Sequence, residues 1–233
     1  MIIAIHQPNY IPWLGFFHKM SLCDKFVLLD NVPFSKNGYQ NRCKIKTDQG
    51  VKWLTVPVFT KGHFGQSTHQ VQIDSKGGWA DKHWRTLQQN YGHAPFFHSV
   101  AQQIERVYQS PWDLLVDPNI EFIGKIAQML GITTTLIRAT QLDIKGSRSE
   151  LLCSICQTLG ATEYLSGPSG KGYLDEQVFS EKGIRVRYHQ FSHPPYLQMY
   201  GAFVPGLSVL DLLANCGASS RDIMLGHTCP PVT

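Results

Sequence analysis

Residues 1–31, MIIAIHQPNYIPWLGFFHKMSLCDKFVLLDN, decide the fold of this chain. Residues 1–5 are apolar and predict a buried strand, and residues 25–29 predict a second strand of the same kind. Between them lie a polar loop with two prolines and a helical pattern that begins at about residue 13. The prolines separate strand from helix, because each lacks a backbone N–H and has a fixed φ. Strand, loop, helix and strand in this order predict the opening of a parallel α/β sheet.

The segment after this opening predicts a small antiparallel unit. Residues 42–46 and 52–58 alternate in character around a turn that ends at Gly50, which is typical of a β-hairpin. Residues 71–73 are apolar at alternate positions and indicate a further short strand. The hairpin interrupts the α/β pattern early in the chain.

A helical insertion is predicted from about residue 79 to 131, with one helix beginning at Pro111, since proline is tolerated in a first helical turn. Strands and helices then alternate from about residue 133 onward. The predicted fold class is α/β: a mainly parallel, Rossmann-like sheet flanked by helices, with a β-hairpin and a helical insertion. We expect one domain over residues 1–225 and a loose tail over residues 226–233.

Composition excludes several classes of protein. The net charge of +4 comes without a run of Lys or Arg, so nucleic-acid binding is not indicated, although an anionic small molecule suits the mild basicity. No stretch of eighteen apolar residues exists, so no membrane span is expected. The six cysteines are unevenly spaced, which favours reduced thiols and a cytoplasmic location. Cys153 and Cys156 lie on an apolar helical pattern and favour core positions over a zinc site, so no metal site is predicted.

Polar loops mostly follow the predicted strands, and parallel strands bring such loops to one edge of the sheet. His6 follows the first strand and is the candidate general base, because its ordinary pKa lies near neutrality. Asp30 ends the second strand and is the candidate that orients this base or an acceptor amine. His193 follows the last predicted strand and is a third catalytic candidate. The alternatives are a structural histidine at residue 6 and a simple turn residue at residue 30.

The same loops supply candidate substrate-binding groups. Arg42 is the best donor to a phosphate or carboxylate, although it also suits the solvated face of a hairpin. Residues 166–172, SGPSGKG, resemble a glycine-rich anion cradle with Lys171 as donor, but their spacing does not match a P-loop. The residues selected on this basis are Gln7, Tyr10, His18, Lys36, Asn41, Arg42, Ser166, Gly167 and Lys171.

Five ordered segments resemble the WbqC-like protein family, and together they run over nearly the whole chain. They are HQPNYIPWLGFFHKM (6–20), DNVPFSKNGYQNRCKI (30–45), WLTVPV (53–58), YLSGPSGKGYLDEQVF (164–179) and FVPGLSVLDLLANCG (203–217). The resemblance adds Tyr173 and Asp175 to the substrate-binding candidates. Its recurrent polar positions correspond to His6, Gln7, Tyr10, Asp30, Asn41, Arg42, Ser166, Gly167, Tyr173, Asp175, His193 and Asp211.

Members of that family occur in gene clusters for bacterial surface polysaccharides, and a glycine transferase role has been proposed for them. The resemblance therefore implies an aminoacyl (glycyl) transferase that modifies a sugar or nucleotide-sugar in O-antigen or capsule biosynthesis. No cofactor is assigned, and ATP or an activated glycyl donor stays open as cosubstrate. The alternatives are a non-catalytic protein that binds a nucleotide-sugar or anion, and a nucleotidyltransferase-like enzyme that forms an acyl-adenylate. The oligomeric state is left open.

Overall fold

A five-stranded sheet, parallel throughout, forms the centre of the protein. The computed structural model describes residues 1–227. The strands of the described residues are β1 (Ile2–His6), β2 (Lys25–Leu28), β3 (Arg42–Thr47), β4 (Gly50–Thr55), β5 (Thr135–Arg138), β6 (Glu163–Ser166) and β7 (Arg185–Tyr188). The order in the large sheet is β5-β2-β1-β6-β7. The chain thus builds outward from β1 in one direction and then returns to the other side, so the strand order reverses between β1 and β6.

The predicted hairpin is formed by β3 and β4, which pair antiparallel with Arg42 opposite Thr55 and Thr47 opposite Gly50. Gly50 has φ of +100°, a conformation that side-chain-bearing residues rarely adopt. The Thr47 hydroxyl donates to the Gly50 carbonyl over 2.8 Å and closes the turn. A turn signal and two alternating runs were therefore sufficient to locate this element.

The helices flank the sheet and fill the insertion. They are α1 (Leu14–Ser21), α2 (Trp79–Tyr91), α3 (Phe97–Gln109), α4 (Val116–Met129), α5 (Arg148–Thr158), α6 (Glu176–Ser180), α7 (Val209–Cys216) and α8 (Ser220–Met224). No helix among residues 1–227 is long and apolar enough to cross a bilayer. The predicted α/β fold, with its parallel sheet, hairpin and flanking helices, is confirmed.

Two local predictions, one just before the insertion and one within it, were wrong for one shared reason. No helix begins at Pro111, and α4 begins at Val116 with Pro118 in its first turn. Residues 71–73 form no regular strand and make only isolated bridges. The two segments instead hydrogen-bond to each other, with Ile73 N–H donating to the Asp113 carbonyl over 2.8 Å and Leu115 N–H to the Val71 carbonyl over 2.9 Å. A long-range pairing therefore overrode both local patterns.

The core lies on both faces of the sheet, and β1 supplies each face in alternation. Ile3 and Ile5 pack with α5 and α6, where Cys153 and Cys156 are also buried. Ala4 faces the other side, toward α1 and the helical insertion. His6 shares the side of Ala4 by the same alternation, so its ring meets Phe16 of α1 edge-on, with centroids 4.9 Å apart. Of the predicted tail, residues 228–233 lie outside the described residues.

Candidate functional site

The reversal of strand order opens a crevice at the carboxyl ends of β1 and β6, the position where open α/β sheets bind ligands. His6 and Gln7 lie at the end of β1, Ser166 and Gly167 at the end of β6, and His189 follows β7. We call this region the switch crevice. Its position follows from the strand order alone, because β2 and β6 pair with opposite edges of β1.

Two imidazoles from opposite sides of the switch crevice form a hydrogen-bonded pair. Nδ1 of His18, on α1, lies 2.8 Å from Nε2 of His189. One ring must donate its N–H to the lone pair of the other, so the pair requires at least one neutral ring. Desolvation lowers the pKa of His18. Desolvation, helped by the charges of His18 and Lys19, lowers the pKa of His189 to about 4. Both rings are therefore neutral near pH 7.

His6 is neutral as well, and its tautomer is fixed. Its Nδ1 lies 3.0 Å from the Gln7 carbonyl oxygen, which can only accept, so Nδ1 carries the hydrogen and Nε2 keeps a lone pair. Desolvation, followed by the positive charge of Lys19, lowers the pKa of His6 to about 3. The Nε2 lone pair of His6 is therefore available to accept a hydrogen bond. His6 does not line the pocket described below, whereas His189 does, and the general-base role of His6 stays a prediction.

A buried lysine lies beneath these rings. Lys19 is 2% exposed, and its ammonium donates to the Ile5 carbonyl over 2.9 Å. No carboxylate forms an ion pair with it within residues 1–227. Burial lowers the pKa of Lys19 to about 7. A cation without a counter-charge keeps neighbouring imidazoles neutral, because it disfavours a second positive charge.

A pocket with a volume of about 190 Å³ opens beside the imidazole pair. Its aromatic walls are Trp13, Tyr188 and Phe191, with the rings of Trp13 and Phe191 edge-on at 5.5 Å. Pro168, Lys171, His189 and Gln190 complete the lining. The Lys171 ammonium lies 5.5 Å from the centre of the Tyr188 ring. His189 therefore belongs both to the pocket and to the imidazole pair.

The glycine-rich segment 166–172 shapes one side of this pocket. It forms a short 3-10 helix over Pro168–Gly172. A side chain at Gly170 would overlap the Ser166 hydroxyl and press on the Tyr188 ring. Gly170 is thus required by close packing, and the tight turn that it permits brings Lys171 to the mouth of the pocket.

His193 borders the pocket without lining it. Its ring lies 6.4 Å from that of Trp13 and 5.8 Å from that of Phe191, measured between centroids. Desolvation lowers the pKa of His193, opposed by a hydrogen bond to the Pro194 carbonyl. The predicted site residues that lie at or beside the switch crevice are therefore His6, Gln7, His18, Ser166, Gly167, Lys171 and His193.

Other predicted residues are engaged elsewhere. Asp30 is fully buried, and its carboxylate accepts from Arg138 Nε over 2.8 Å and from the Thr140 hydroxyl over 2.9 Å. Arg42 lies on the hairpin with its guanidinium 4.2 Å from the Trp53 ring centre. Of the four side chains predicted to meet at one cavity, Lys171 lines the pocket, and His6, Asp30 and Arg42 do not.

Tyr10 and Asn41 are structural in the same sense. The Tyr10 hydroxyl lies in the core, 2.8 Å from Nδ1 of His83 and 2.9 Å from the Tyr108 hydroxyl. The Asn41 amide donates to the Val56 carbonyl over 2.9 Å. These bonds tie the loop after β1 to the insertion and close the base of the hairpin.

The remaining predicted polar residues also have structural contacts or exposed positions. Asp175 caps α6 by accepting from the Gln177 N–H over 3.1 Å. Asp211 is buried and accepts from the hydroxyls of Tyr91 and Tyr196. Lys36 and Tyr173 are exposed and do not line the pocket.

Sequence reasoning left His189 and the aromatic walls out of the predicted site. His189 and His193 flank the same strand end and the strand-end criterion indicates both, but only His193 was included in the predicted site. Trp13, Tyr188 and Phe191 carried no such signal, because apolar side chains at strand and helix ends read as core. Within residues 1–227, no group of three or more His, Cys, Asp or Glu side chains is arranged to hold a metal ion.

Comparisons with known proteins identify the family of this chain. Uncharacterized protein Rv1507c of Mycobacterium tuberculosis (strain ATCC 25618 / H37Rv) is 39% identical over 224 residues, covering 95% of this chain and 96% of that protein. No solved structure matches the chain. The model of the WbqC-like protein family matches residues 7–223, a span that includes His18, Lys171 and His189. The resemblance predicted from the five segments is confirmed, and the chain belongs to the WbqC-like protein family.

Proposed function

We propose that this protein is an aminoacyl transferase that attaches glycine to a sugar or nucleotide-sugar during the synthesis of a bacterial surface polysaccharide. The observation that carries the proposal is the neutral His18–His189 pair, whose second member lines a ligand-sized pocket at the sheet's switch point. The resemblance to proposed glycine transferases supplies the transferred group. The geometry supports the proton chemistry that such a transfer needs.

In the proposed reaction, a hydroxyl or amine of the acceptor attacks the carbonyl carbon of an activated glycyl group. The acceptor's proton passes to His189, the new C–O or C–N bond forms, and the leaving group departs with its electron pair. The 2.8 Å bond to His18 lets the two rings share the proton and return it to the leaving group. General acid–base catalysis of this kind contributes about 10²–10⁴-fold. The lowered pKa of His189 points to the lower end of that range.

The other crevice residues take supporting roles. The Nε2 lone pair of His6 can accept a hydrogen bond from the acceptor hydroxyl or from the glycyl ammonium group, since His6 stays neutral. Lys171 supplies a positive charge at the pocket for an anionic part of the substrate. Asp30 and Arg42 have no part in this scheme, because their contacts lie elsewhere.

Incubation of the purified protein with isotopically labelled glycine tests the proposal. The glycine is supplied with ATP or as a preformed thioester, a panel of nucleotide-sugars serves as acceptors, and mass spectrometry detects the glycyl adduct. His189→Gln should lower the transfer rate about 10²-fold, because glutamine cannot take up the proton. His93→Gln, on an exposed turn, is the matched control and should leave the rate unchanged.

Two results would contradict the proposal. One is a His189→Gln protein that transfers glycine at the wild-type rate. The other is the absence of transfer from every activated donor; if ligands still bind under those conditions, a non-catalytic binding protein becomes the better reading.

A further inference from the structure

We infer that the aromatic pocket binds the nucleoside phosphate part of a nucleotide, with the base between Trp13, Tyr188 and Phe191 and a phosphate beside Lys171. The inference deepens the proposed function and rests on it, since it names the part of the substrate that occupies the pocket. It implies that the acceptor is a nucleotide-sugar rather than a free sugar.

The size of the pocket selects a single ring system. A cavity of about 150 Å³ accommodates benzene, and this pocket measures about 190 Å³. One nucleobase fits such a volume, whereas a complete nucleotide-sugar does not. The remainder of the ligand must therefore extend beyond the mouth of the pocket, where Lys171 lies.

The chemistry of the walls favours a base over a sugar. Three aromatic side chains line the pocket, and the polar side chains beside them are few: Lys171, His189 and Gln190. A hexose would leave several hydroxyl groups without partners here, at about 1–3 kcal/mol for each unpaired group. A nucleobase has two apolar faces, which stack on aromatic rings, and confines its polar atoms to its edge. The Gln190 carboxamide carries both a donor and an acceptor for that edge.

Lys171 is placed to bind the phosphate. It is exposed, lies at the pocket mouth, and forms no ion pair within the part of the chain that the structure describes. The nearby Glu176 carboxylate instead accepts from the Tyr188 hydroxyl over 2.7 Å, which also fixes that aromatic wall. An ammonium without a carboxylate partner at the mouth of an apolar pocket is suited to a phosphate.

His189 connects this binding mode to the chemistry. It forms part of the pocket lining and bonds to His18. A sugar attached through the phosphate would leave the pocket within reach of this pair. The nucleotide would then act as a handle that holds the acceptor sugar against the imidazoles.

Isothermal titration calorimetry with UDP, dTDP, GDP, CDP and ADP tests the inference. At least one should bind, and its free nucleoside and inorganic pyrophosphate should each bind at least about tenfold more weakly. Lys171→Met should weaken binding of that nucleotide about tenfold and leave the affinity for the free nucleoside unchanged. Phe191→Leu keeps an apolar side chain but removes a ring face, and should weaken nucleotide and nucleoside alike. Lys82→Met, exposed on α2, is the matched control and should bind as the wild type does.

The inference is overturned if none of the five nucleotides binds, if a sugar 1-phosphate binds as tightly as the best nucleotide, or if Lys171→Met and Phe191→Leu bind it like the wild type. Its failure is distinguishable from failure of the proposed function. Nucleotide binding without glycine transfer would refute the transferase and leave this inference standing. Glycine transfer to a free sugar, without nucleotide binding, would refute this inference and leave the transferase standing.

Discussion

Two polar clusters lie at the carboxyl ends of the same parallel sheet and differ in how fully their groups are paired. At the ends of β2 and β5, the Asp30 carboxylate accepts hydrogen bonds from Arg138, the Thr140 N–H and the Thr140 hydroxyl. At the ends of β1 and β6, the imidazoles are neutral. Among residues 1–227, the only hydrogen-bond acceptor of Lys19 is a backbone carbonyl. The first cluster is electrostatically complete, and the second is not.

This difference separates a structural corner from a candidate site. A buried carboxylate that already has its partners has little capacity left for a ligand, and removal of one partner destabilises the fold. Neutral imidazoles beside an open pocket keep lone pairs and protons available for a substrate. A position at the carboxyl end of a strand therefore does not by itself identify a functional residue. The degree to which each polar group is already paired is the better criterion.

The largest test of this comparison is the pH dependence of stability in Lys19→Met. Lys19 loses its proton at about pH 7 in the folded protein and near 10.5 in the unfolded chain. Between these values the unfolded chain binds more protons, so the free energy of unfolding rises with pH; that contribution is lost as the pH falls to about 7. Between about pH 6 and about pH 9, the free energy of unfolding of the wild type should therefore rise by roughly 3 kcal/mol relative to that of Lys19→Met.

Urea denaturation at several pH values measures this difference, and Lys82→Met should show none. A difference between wild type and Lys19→Met that stays constant with pH would mean that the crevice lysine has a hidden counter-charge. The contrast between the two clusters would then disappear.

Asp30→Asn tests the fully paired cluster at the ends of β2 and β5. It should lower the free energy of unfolding by about 2 kcal/mol, because it leaves the partly buried Arg138 without its main counter-charge. Chemical denaturation gives this value, and Asp48→Asn on the exposed hairpin turn is the control. Glycine transfer per folded molecule should not change. A loss of transfer in a fully folded Asp30→Asn protein would show that Asp30 takes part in catalysis. Full pairing of a polar group would then no longer distinguish the structural cluster from the candidate site.

The smallest expected effect concerns the packing that supports the pocket. Gly170→Ala should destabilise the protein by about 1 kcal/mol, because the new methyl group overlaps the Ser166 hydroxyl. Adding Ser166→Ala removes that hydroxyl and should recover most of the loss. A double-mutant cycle by thermal unfolding measures this coupling. Purely additive effects would mean that another contact of Gly170 sets the shape of the turn.

Much of the fold could be predicted because its signals are local. The apolar run of β1, the turn at Gly50 and the helical periodicity around Leu87 each depend on neighbours in sequence. The pairing of residues 71–73 with residues 113–115 could not be predicted in this way. It joins segments about forty positions apart, and neither carries a pattern that names its partner.

The candidate site could be predicted only in part, for a related reason. The strand-end criterion selected His6, Ser166 and Lys171, which lie at or beside the switch crevice. It could not show that Asp30 is already paired, because that requires knowing that β5 lies beside β2 and presents Arg138. Nor could it show that Tyr10 faces the insertion, where His83 and Tyr108 receive its hydroxyl.

The central position of β1 has a consequence for how the protein is made. β1 pairs with β2 a short distance along the chain, but its other edge pairs with β6, where Ile2 meets Glu163. During translation, one edge of this apolar strand therefore stays unpaired until most of the polypeptide, including β6, has been synthesised. Contacts of such wide sequence separation slow folding, and an unpaired strand edge is a template for aggregation. In the nascent chain, the strand that later bears the crevice is thus exposed to aggregation until β6 has been made.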